Sequence, residues 1–314
     1  MRIYITGIKG FIATHLKREL EDHGHTVGGG NLPEVNYWHK GVAHREFNRF
    51  KPDLVVHNAA QVGRLFGEDN IKFTIDSNAL MTTRIAQAAA ERGCRLCYIS
   101  TSEVYGDQGE TMCDESTPLK LSHNLYGLSK KWGEETCLLY HPTNLQIVRP
   151  SMPYGTGVPA GNGRAAILNF VYNALHNTPL NVHKNAERSN IWIDDLIRSF
   201  RSILENGEVI TQGTSDYYEG RGIYNLGRND DARSMEEIAV LACDLAGAPR
   251  SLINLVEAPP NQTKIKRLCC EKVRQLAGAP TTSLEEGMVK ILQYYMNEKS
   301  LQGWPQSQAA KLSV

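Results

Sequence analysis

The sequence predicts an α/β fold, a doubly wound parallel sheet followed by a smaller C-terminal α/β lobe. Short apolar segments alternate with segments of helical period over residues 1–150. A glycine turn joins the first strand to the first helix, and after Pro150 the alternation stops at a glycine-rich loop. We therefore expect the sheet domain over residues 1–150 and the lobe mainly over 151–299, with some elements returning to the first domain. A tail is expected over 300–314.

The composition excludes several classes of partner. The 314 residues include 34 basic and 34 acidic side chains, which gives no electrostatic reason to bind nucleic acid or an anionic membrane. Seven scattered cysteines without paired metal spacing favour a reducing compartment and argue against a metal site. Met1 leads directly into an apolar strand, and no apolar run approaches the roughly 20 residues that cross a bilayer. We expect a soluble cytoplasmic protein with a small-molecule substrate.

The first strand, turn and helix have the pattern of a pyrophosphate-binding unit. Arg2–Ile5 is an apolar strand, the turn Thr6–Ala13 follows, and Leu16 and Leu20 continue at helical spacing. Glycines let the backbone approach a ligand closely, and the helix N-terminus offers free N–H groups. The predicted cofactor contacts in this unit are Gly7, Lys9, Gly10, Phe11 and Ile12.

The second strand bears on the choice of cofactor. Where an acid would meet the ribose hydroxyls, the chain has three glycines and Asn31. Lys9 could meet a 2′-phosphate instead, so the sequence favours NADP over NAD. The alternative is that Lys9 is solvated and that Asn31 or Glu34 serves the ribose, which leaves NAD open.

The following strands end in small and hydroxyl-bearing residues. The third strand, Leu54–His57, stops at Asn58-Ala59-Ala60, where a flat cofactor can lie against the backbone. A long helical segment is expected from about residue 70 to 92, and a mobile loop over 212–222. The strand at 96–99 ends in Ser100-Thr101-Ser102-Glu103. Ligands bind at this carboxyl edge of a parallel sheet.

Tyr126 and Lys130 are four residues apart on a predicted helix. This spacing puts both side chains on one face, where an ammonium would favour the phenolate of its neighbour. Thr101 could hydrogen-bond the same group, and Glu103 could act as a second acid or base from the opposite side. An ordinary surface pair of Tyr and Lys is the alternative.

Together these motifs resemble the extended short-chain dehydrogenase/reductase family, also called the NAD-dependent epimerase/dehydratase family. The resemblance covers about residues 1–298. Its motifs are Thr6-Gly7-x-x-Gly10-Phe11-Ile12-Ala13, Asn58-Ala59-Ala60, Tyr126-x-x-x-Lys130, Arg149-Pro150-x-x-x-Tyr154-Gly155 and Leu276–Pro280 followed by Leu284–Gly287. It implies a Rossmann-like dinucleotide-binding domain, a substrate lobe and an enzyme that is often a homodimer.

Family members mostly oxidise C4 of a nucleotide-diphosphate sugar with bound NAD or NADP. By resemblance, Tyr126 takes the O4 proton, Lys130 supports it and holds the nicotinamide ribose, and Thr101 and Ser102 contact the sugar. Further implied cofactor contacts are Asn31, Ala59, Ala60, Asn78, Ser100 and Pro150. Further implied substrate contacts are Val62, Arg64, Met152, Arg164 and Arg188. Met152 stands where the family often has Asn.

Glu103 points beyond simple epimerisation, because a carboxylate there could remove the acidic C5 proton of a 4-keto sugar. The stretch around it is similar to the form found in 4,6-dehydratases and UDP-glucuronate decarboxylases. The alternative for Glu103 is a structural carboxylate. Residues 34–63 instead resemble GDP-fucose synthases, so an NADPH-dependent 4-keto-sugar reductase or epimerase-reductase stays open. Arg164 replaces their second acid/base and cannot titrate usefully. A non-catalytic cofactor-binding regulatory protein is the alternative of another class.

Overall fold

The computed structural model describes residues 1–141, 143–158, 160, 165–259 and 262–297, except for the side chains of Arg64 and Leu65. Within these residues, short parallel strands form one large sheet, and three small sheets lie beyond its carboxyl edge. The predicted doubly wound α/β fold is confirmed.

The main sheet has six parallel strands in the spatial order β2-β1-β3-β4-β6-β10. Its members are β1 Arg2–Thr6, β2 Thr26–Gly30, β3 Leu54–His57, β4 Arg95–Ile99, β6 Leu145–Pro150 and β10 Ile223–Leu226. The chain steps from β1 outward to β2 and then crosses to β3 on the other side. The carboxyl ends of β1 and β3 therefore flank the crevice where such sheets bind ligands.

Helices cover both faces of this sheet, which is why its central strands are apolar on both sides. One face carries α1, α8 and α11, and the other carries α2, α5 and α6. The helices are α1 Phe11–Asp22, α2 Val42–Phe50, α3 Arg64–Asp69, α4 Ile71–Ile75, α5 Met81–Arg92, α6 Leu125–Tyr140, α7 Ala166–Leu175, α8 Ile193–Asn206, α9 Thr214–Tyr218, α10 Met235–Ala246, α11 Glu271–Ala277 and α12 Leu284–Asn297.

The C-terminal lobe is built on three small sheets. They contain β7 Met152–Tyr154, β9 Glu187–Trp192 and β11 Ala232–Ser234 in one, β8 Leu180–His183 and β12 Ile253–Val256 in the second, and β5 Met112–Cys113 and β13 Arg267–Leu268 in the third. The third sheet joins the two parts of the chain, because β5 belongs to the first half and β13 to the second. Strand β10 and helix α8 return to the main sheet, as the sequence allows.

The expected long helical segment of residues 70–92 is confirmed, because α4, a π-helical turn at Asp76–Leu80 and α5 follow one another without a break. One element differs from the sequence expectation. The expected loop of 212–222 contains the short helix α9, because the Asp216 carboxylate accepts the backbone N–H groups of Thr211 and Gln212 at 2.7 and 2.8 Å.

Among the described residues, no helix is both long and apolar enough to cross a membrane. In the same part of the chain, no cluster of His, Cys, Asp or Glu side chains is placed to hold a metal ion. All seven cysteines are free.

Candidate active site

The glycine turn packs closely against the end of β3. Gly7 has a φ of +67° and donates its N–H to the Gly30 carbonyl at 2.8 Å. A Cβ at Gly7 would come within 2.8 Å of the Ala59 Cα, so only glycine fits this position. Asn58 donates its amide to the Gly7 carbonyl at 3.1 Å and fixes the turn from the β3 side.

Helix α1 begins after this turn with no side-chain cap, because its N-cap residue is Gly10. The first N–H groups of the helix, at Phe11 and Ile12, therefore have no partner within the helix. The positive end of the helix dipole adds to them. The turn and the uncapped helix fit the pyrophosphate of a dinucleotide. The nicotinamide of that dinucleotide would supply hydride transfer when bound.

The residues expected at the adenosine end pair with each other or with the backbone. Lys9 donates to Glu34 at 2.6 Å, and both side chains are exposed. This hydrogen bond lowers the pKa of Glu34. Asn31 donates to the Leu32 carbonyl at 2.8 Å. Glu34, which lies a few residues after the end of β2, is thus held beside the glycine turn by Lys9.

Asn78 connects the end of β3 to helix α6. Its amide donates to the Gln61 carbonyl at 3.0 Å and to the Ser129 hydroxyl at 2.9 Å, and its oxygen accepts the Gln61 N–H at 2.8 Å. Ser129 in turn donates to the Tyr126 carbonyl at 2.8 Å. Asn78 is fully buried, so its contacts with protein hold the site together. The predicted contact between Asn78 and the cofactor stays a prediction.

Helix α6 begins beside the polar end of β4. Asn124 caps it by accepting the Gly127 N–H at 2.8 Å, and Glu68 accepts the Leu125 N–H at 2.9 Å. A Cβ at Gly127 would lie 3.1 Å from the Glu103 carbonyl oxygen. The small residue lets the first turn of α6, with Tyr126, approach the 3-10 helix Ser102–Tyr105.

The structure brings Thr101 and Tyr126 together, as the sequence predicts. Burial raises the pKa of Tyr126 to about 12, and the neighbouring Thr101 hydroxyl opposes this rise. The expected lowering of the Tyr126 pKa by Lys130 stays a prediction. In this structure Tyr126 is therefore a neutral phenol rather than a phenolate at pH 7.

Lys130 is buried, and its ammonium lies 4.2 Å from the centre of the Tyr98 ring. Burial lowers the pKa of Lys130 to about 7, while Cys137 and Glu134 oppose the shift. Its charge can therefore change near neutral pH, and the cation–π contact favours the charged form.

Glu103 forms an ion pair that the sequence did not predict. Its carboxylate contacts the ammonium of Lys266, and both side chains are mostly buried. Lys266 precedes β13, and the neighbouring Arg267 forms a two-point ion pair with Glu187 at 2.7 and 2.8 Å. A segment of the lobe thus lies against the proposed second acid or base.

The remaining predicted substrate contacts have varied positions. Val62 is exposed, Met152 begins β7, and the cofactor candidate Pro150 is buried at the end of β6. Arg188 is buried, and its guanidinium donates to the Glu187, Thr263 and Lys264 carbonyls. In this structure it therefore fixes the segment before β13. Arg164 and the side chain of Arg64 lie outside the described residues.

A buried ion pair lies beneath these residues. Arg149 of β6 donates to both carboxylate oxygens of Glu134 at 3.0 and 2.8 Å, and both side chains are almost fully buried. Burial raises the pKa of Glu134. Arg149, followed by Ser100 and Tyr217, outweighs burial and keeps this pKa below its usual value. A sequence signal existed for Glu134, because it follows Lys130 by four residues on the same helix face. The distant Lys266 gave none.

The model of the NAD dependent epimerase/dehydratase family matches residues 3–227. Among curated proteins, UDP-glucuronic acid decarboxylase 1 of Danio rerio is 26% identical and aligns over 95% of this chain and 73% of its own. Protein CapI of Staphylococcus aureus is also 26% identical, over 94% of this chain and 98% of its own.

Two solved structures share the fold with a TM-score of 0.81. The UDP-glucose 4-epimerase of Thermus thermophilus, in complex with NAD, is 20% identical and covers 95% of this chain and 100% of its own. DesIV, a dTDP-glucose 4,6-dehydratase from Streptomyces venezuelae with NAD and TYD bound, is 22% identical and covers 96% of this chain and 98% of its own. Because the family model spans well over half of the sequence, this chain belongs to the NAD dependent epimerase/dehydratase family of enzymes.

Proposed function

We propose that this enzyme oxidises C4 of a nucleotide-diphosphate sugar and then epimerises, dehydrates or decarboxylates the 4-keto sugar. The observation that carries the proposal is the closeness of Tyr126, on the first turn of α6, to the 3-10 helix that Thr101 caps at the carboxyl end of β4. Tyr126 accepts the O4 proton in its phenolate form, after its own phenol proton has been released, while Thr101 holds the O4 oxygen. Lys130 lies on the next turn of α6 and supplies positive charge.

Glu103 is proposed as the second acid or base. In a 4-keto sugar the C5–H bond is weakened by the adjacent carbonyl, and a carboxylate can remove that proton. In a 4-keto uronic acid the C6 carboxylate instead lies β to the C4 carbonyl, so the C5–C6 bond can break with loss of CO₂ while its electron pair forms the enolate of the C4 ketone. The relatives that are named UDP-glucuronic acid decarboxylases support testing uronic acids first.

We infer that NAD is the working cofactor, in place of the NADP that the sequence favours. Glu34 supplies a carboxylate near the glycine turn and already engages Lys9. A ribose diol would find an acceptor in Glu34, whereas a 2′-phosphate would have to displace Glu34 from Lys9. Lys9, together with the resemblance of residues 34–63 to GDP-fucose synthases, favours the second candidate, an NADPH-dependent 4-keto-sugar reductase. Net loss of absorbance at 340 nm with a 4-keto substrate would identify that reaction.

The decisive experiment incubates the purified protein with NAD or NADP and UDP-glucuronate, UDP-glucose or dTDP-glucose, and follows products by mass spectrometry. We expect an altered sugar from at least one substrate. Tyr126→Phe should lower turnover by roughly 10²–10⁴-fold, the usual contribution of a positioned acid or base. Tyr140→Phe, on an exposed tyrosine of the same helix, is the control. Unchanged turnover in Tyr126→Phe would exclude the proposed role.

We also propose a cytoplasmic homodimer. Free thiols at all seven cysteines suit a reducing compartment. Helices α5 and α6 pack side by side, and Trp132 and Leu139 of α6, with Leu80 just before α5, leave an exposed apolar surface that suits a helical interface between two copies.

A further inference from the structure

Glu134 and Arg149 form a buried ion pair that touches both sides of the candidate active site. Glu134 lies on α6, one turn beyond Lys130 and two turns beyond Tyr126. Arg149 lies on β6 and donates to the Tyr105 hydroxyl at 3.0 Å. Tyr105 ends the 3-10 helix that carries Ser102 and Glu103. The pair thus joins the helix of the proposed base to the turn of the proposed second acid.

The network around the pair continues into the lobe. Tyr105 donates to Asn225 at 2.7 Å, and the Asn225 amide donates to the Cys113 and Cys269 carbonyls at 3.0 Å each. Tyr217 donates to Glu134 at 2.7 Å. Most donors and acceptors of the ion pair therefore have protein partners, which a buried pair requires if it is to be tolerated.

Glu134 is a carboxylate that acts on the charge of Lys130 from one turn along α6. The titratable groups that face Lys130 are Tyr98 on β4, His57 on β3, and Tyr126, Glu134 and Cys137 on α6. Burial raises the pKa values of Tyr98, Tyr126 and Cys137 and lowers that of His57, so these four groups are neutral at pH 7.

Burial works against a charged Lys130, and the Tyr98 ring and the Glu134 carboxylate favour the charge. Arg149 pairs with Glu134 from strand β6, whereas Glu134 itself lies one helical turn from Lys130 on α6. At the short range of one helical turn and in a poorly solvated interior, the nearer charge dominates.

We propose that Glu134, held by Arg149, is the positioning residue that keeps Lys130 charged and aligns the two sides of the active site. The proposal rests on the proposed function for its catalytic meaning. The effect of Glu134 and Arg149 on the charge of Lys130 is a property of the folded chain alone. It predicts that the two members of the pair act on Lys130 with opposite signs.

The test is an NMR titration of the protein labelled with [ε-13C]lysine. The Lys130 signal is identified by its loss in Lys130→Met, and its midpoint in the unaltered protein should be about 7. Glu134→Gln leaves Arg149 uncompensated and should lower the midpoint by roughly one to two pH units. Arg149→Met leaves Glu134 uncompensated and should raise it. Glu135→Gln removes an equal charge from the exposed side of α6 and should leave the midpoint unchanged.

The neutral double variant Glu134→Gln/Arg149→Met covers the case in which the single variants do not fold. Because Glu134 is the nearer charge, the double variant should lower the midpoint by less than Glu134→Gln alone. Shifts of the same sign in both single variants, or an unmoved midpoint in Glu134→Gln or in the double variant, would overturn the proposal. Turnover of a nucleotide sugar by the unaltered protein tests the proposed function separately. A protein without turnover can still show the predicted titration.

Discussion

Glu103 illustrates how one contact changes the interpretation of a residue. As a lone carboxylate at a strand end it is a free acid or base, but here it is paired with Lys266 from the lobe. The pair holds the carboxylate of this 3-10 helix residue at a defined place. It also means that a substrate which engages Glu103 must compete with Lys266 or share its charge.

We expect Glu103→Gln to separate the two halves of the reaction. The amide keeps the shape of the side chain but cannot take a C5 proton, so the steady-state rate of a C5-deprotonating reaction should fall by roughly 10²–10⁴-fold. Oxidation at C4 should persist, visible as a single turnover of cofactor reduction at 340 nm. Glu110→Gln, on an exposed residue of the same segment, serves as the control.

Loss of the first oxidation in Glu103→Gln would assign Glu103 a structural role instead. A normal steady-state rate would remove it from the mechanism. The same comparison with a uronic acid substrate is informative, because loss of CO₂ from a 4-keto acid needs no proton removal at C5. There the variant should lose less activity than with a neutral sugar.

At the scale of elements, α6 carries most of the candidate site, and its packing is tight. Tyr126, Lys130 and Glu134 recur every four residues along the face turned toward β4. Gly133 lies on that same buried side, and a Cβ there would overlap the Tyr98 hydroxyl. The ring of Tyr98 is the one on which Lys130 rests.

Gly133→Ala should therefore destabilise the protein, although alanine is normally the better helix residue by about 1 kcal/mol. The methyl group must displace Tyr98 within a close-packed centre, and overpacking of this kind costs ~1–3 kcal/mol. Denaturant unfolding should show the loss, and Glu135→Ala, on the exposed side of α6, should not. A more stable Gly133→Ala variant would mean that α6 lies farther from β4 than the structure shows.

Sequence patterns predicted the elements whose conformation depends on residues that are close together in the chain. The glycine turn, the strand 54–57 and the helix positions of Tyr126 and Lys130 follow from residue spacing within a few positions. The ion pair of Glu134 and Arg149, and that of Glu103 and Lys266, join residues of different elements, and spacing alone does not specify such contacts. The π-helical turn at 76–80 was missed for a similar reason. Its buried Asn78 bonds to Gln61 and Ser129 on two other elements.

At the scale of the whole molecule, the site is assembled from both halves of the chain. The lobe supplies Lys266 beside Glu103, and Asn225 of β10 anchors the 3-10 helix through Tyr105. Helices α5 and α6 lie on the face of the main sheet opposite helix α8. They form the surface that we propose for the second copy.

The exposed apolar side chains on this surface allow a direct test of the homodimer. Trp132 and Leu139 are seven residues apart on one face of α6 and are 37% and 71% exposed, and Leu80, just before α5, is 39% exposed. Leu139→Lys places a charge where a stable helical interface would exclude water. It should convert a dimer into a species with the 35.0 kDa mass of one chain in sedimentation equilibrium.

Leu121→Lys is the matched control, because Leu121 is 82% exposed but lies outside α5 and α6. It should leave the dimer intact. Since the interface helix also carries Tyr126 and Lys130 on its opposite face, a monomeric Leu139→Lys protein should lose part of its turnover while its fold is retained. A chain that is monomeric before any substitution, or a Leu139→Lys variant that stays dimeric, would show that this helical face is not the interface.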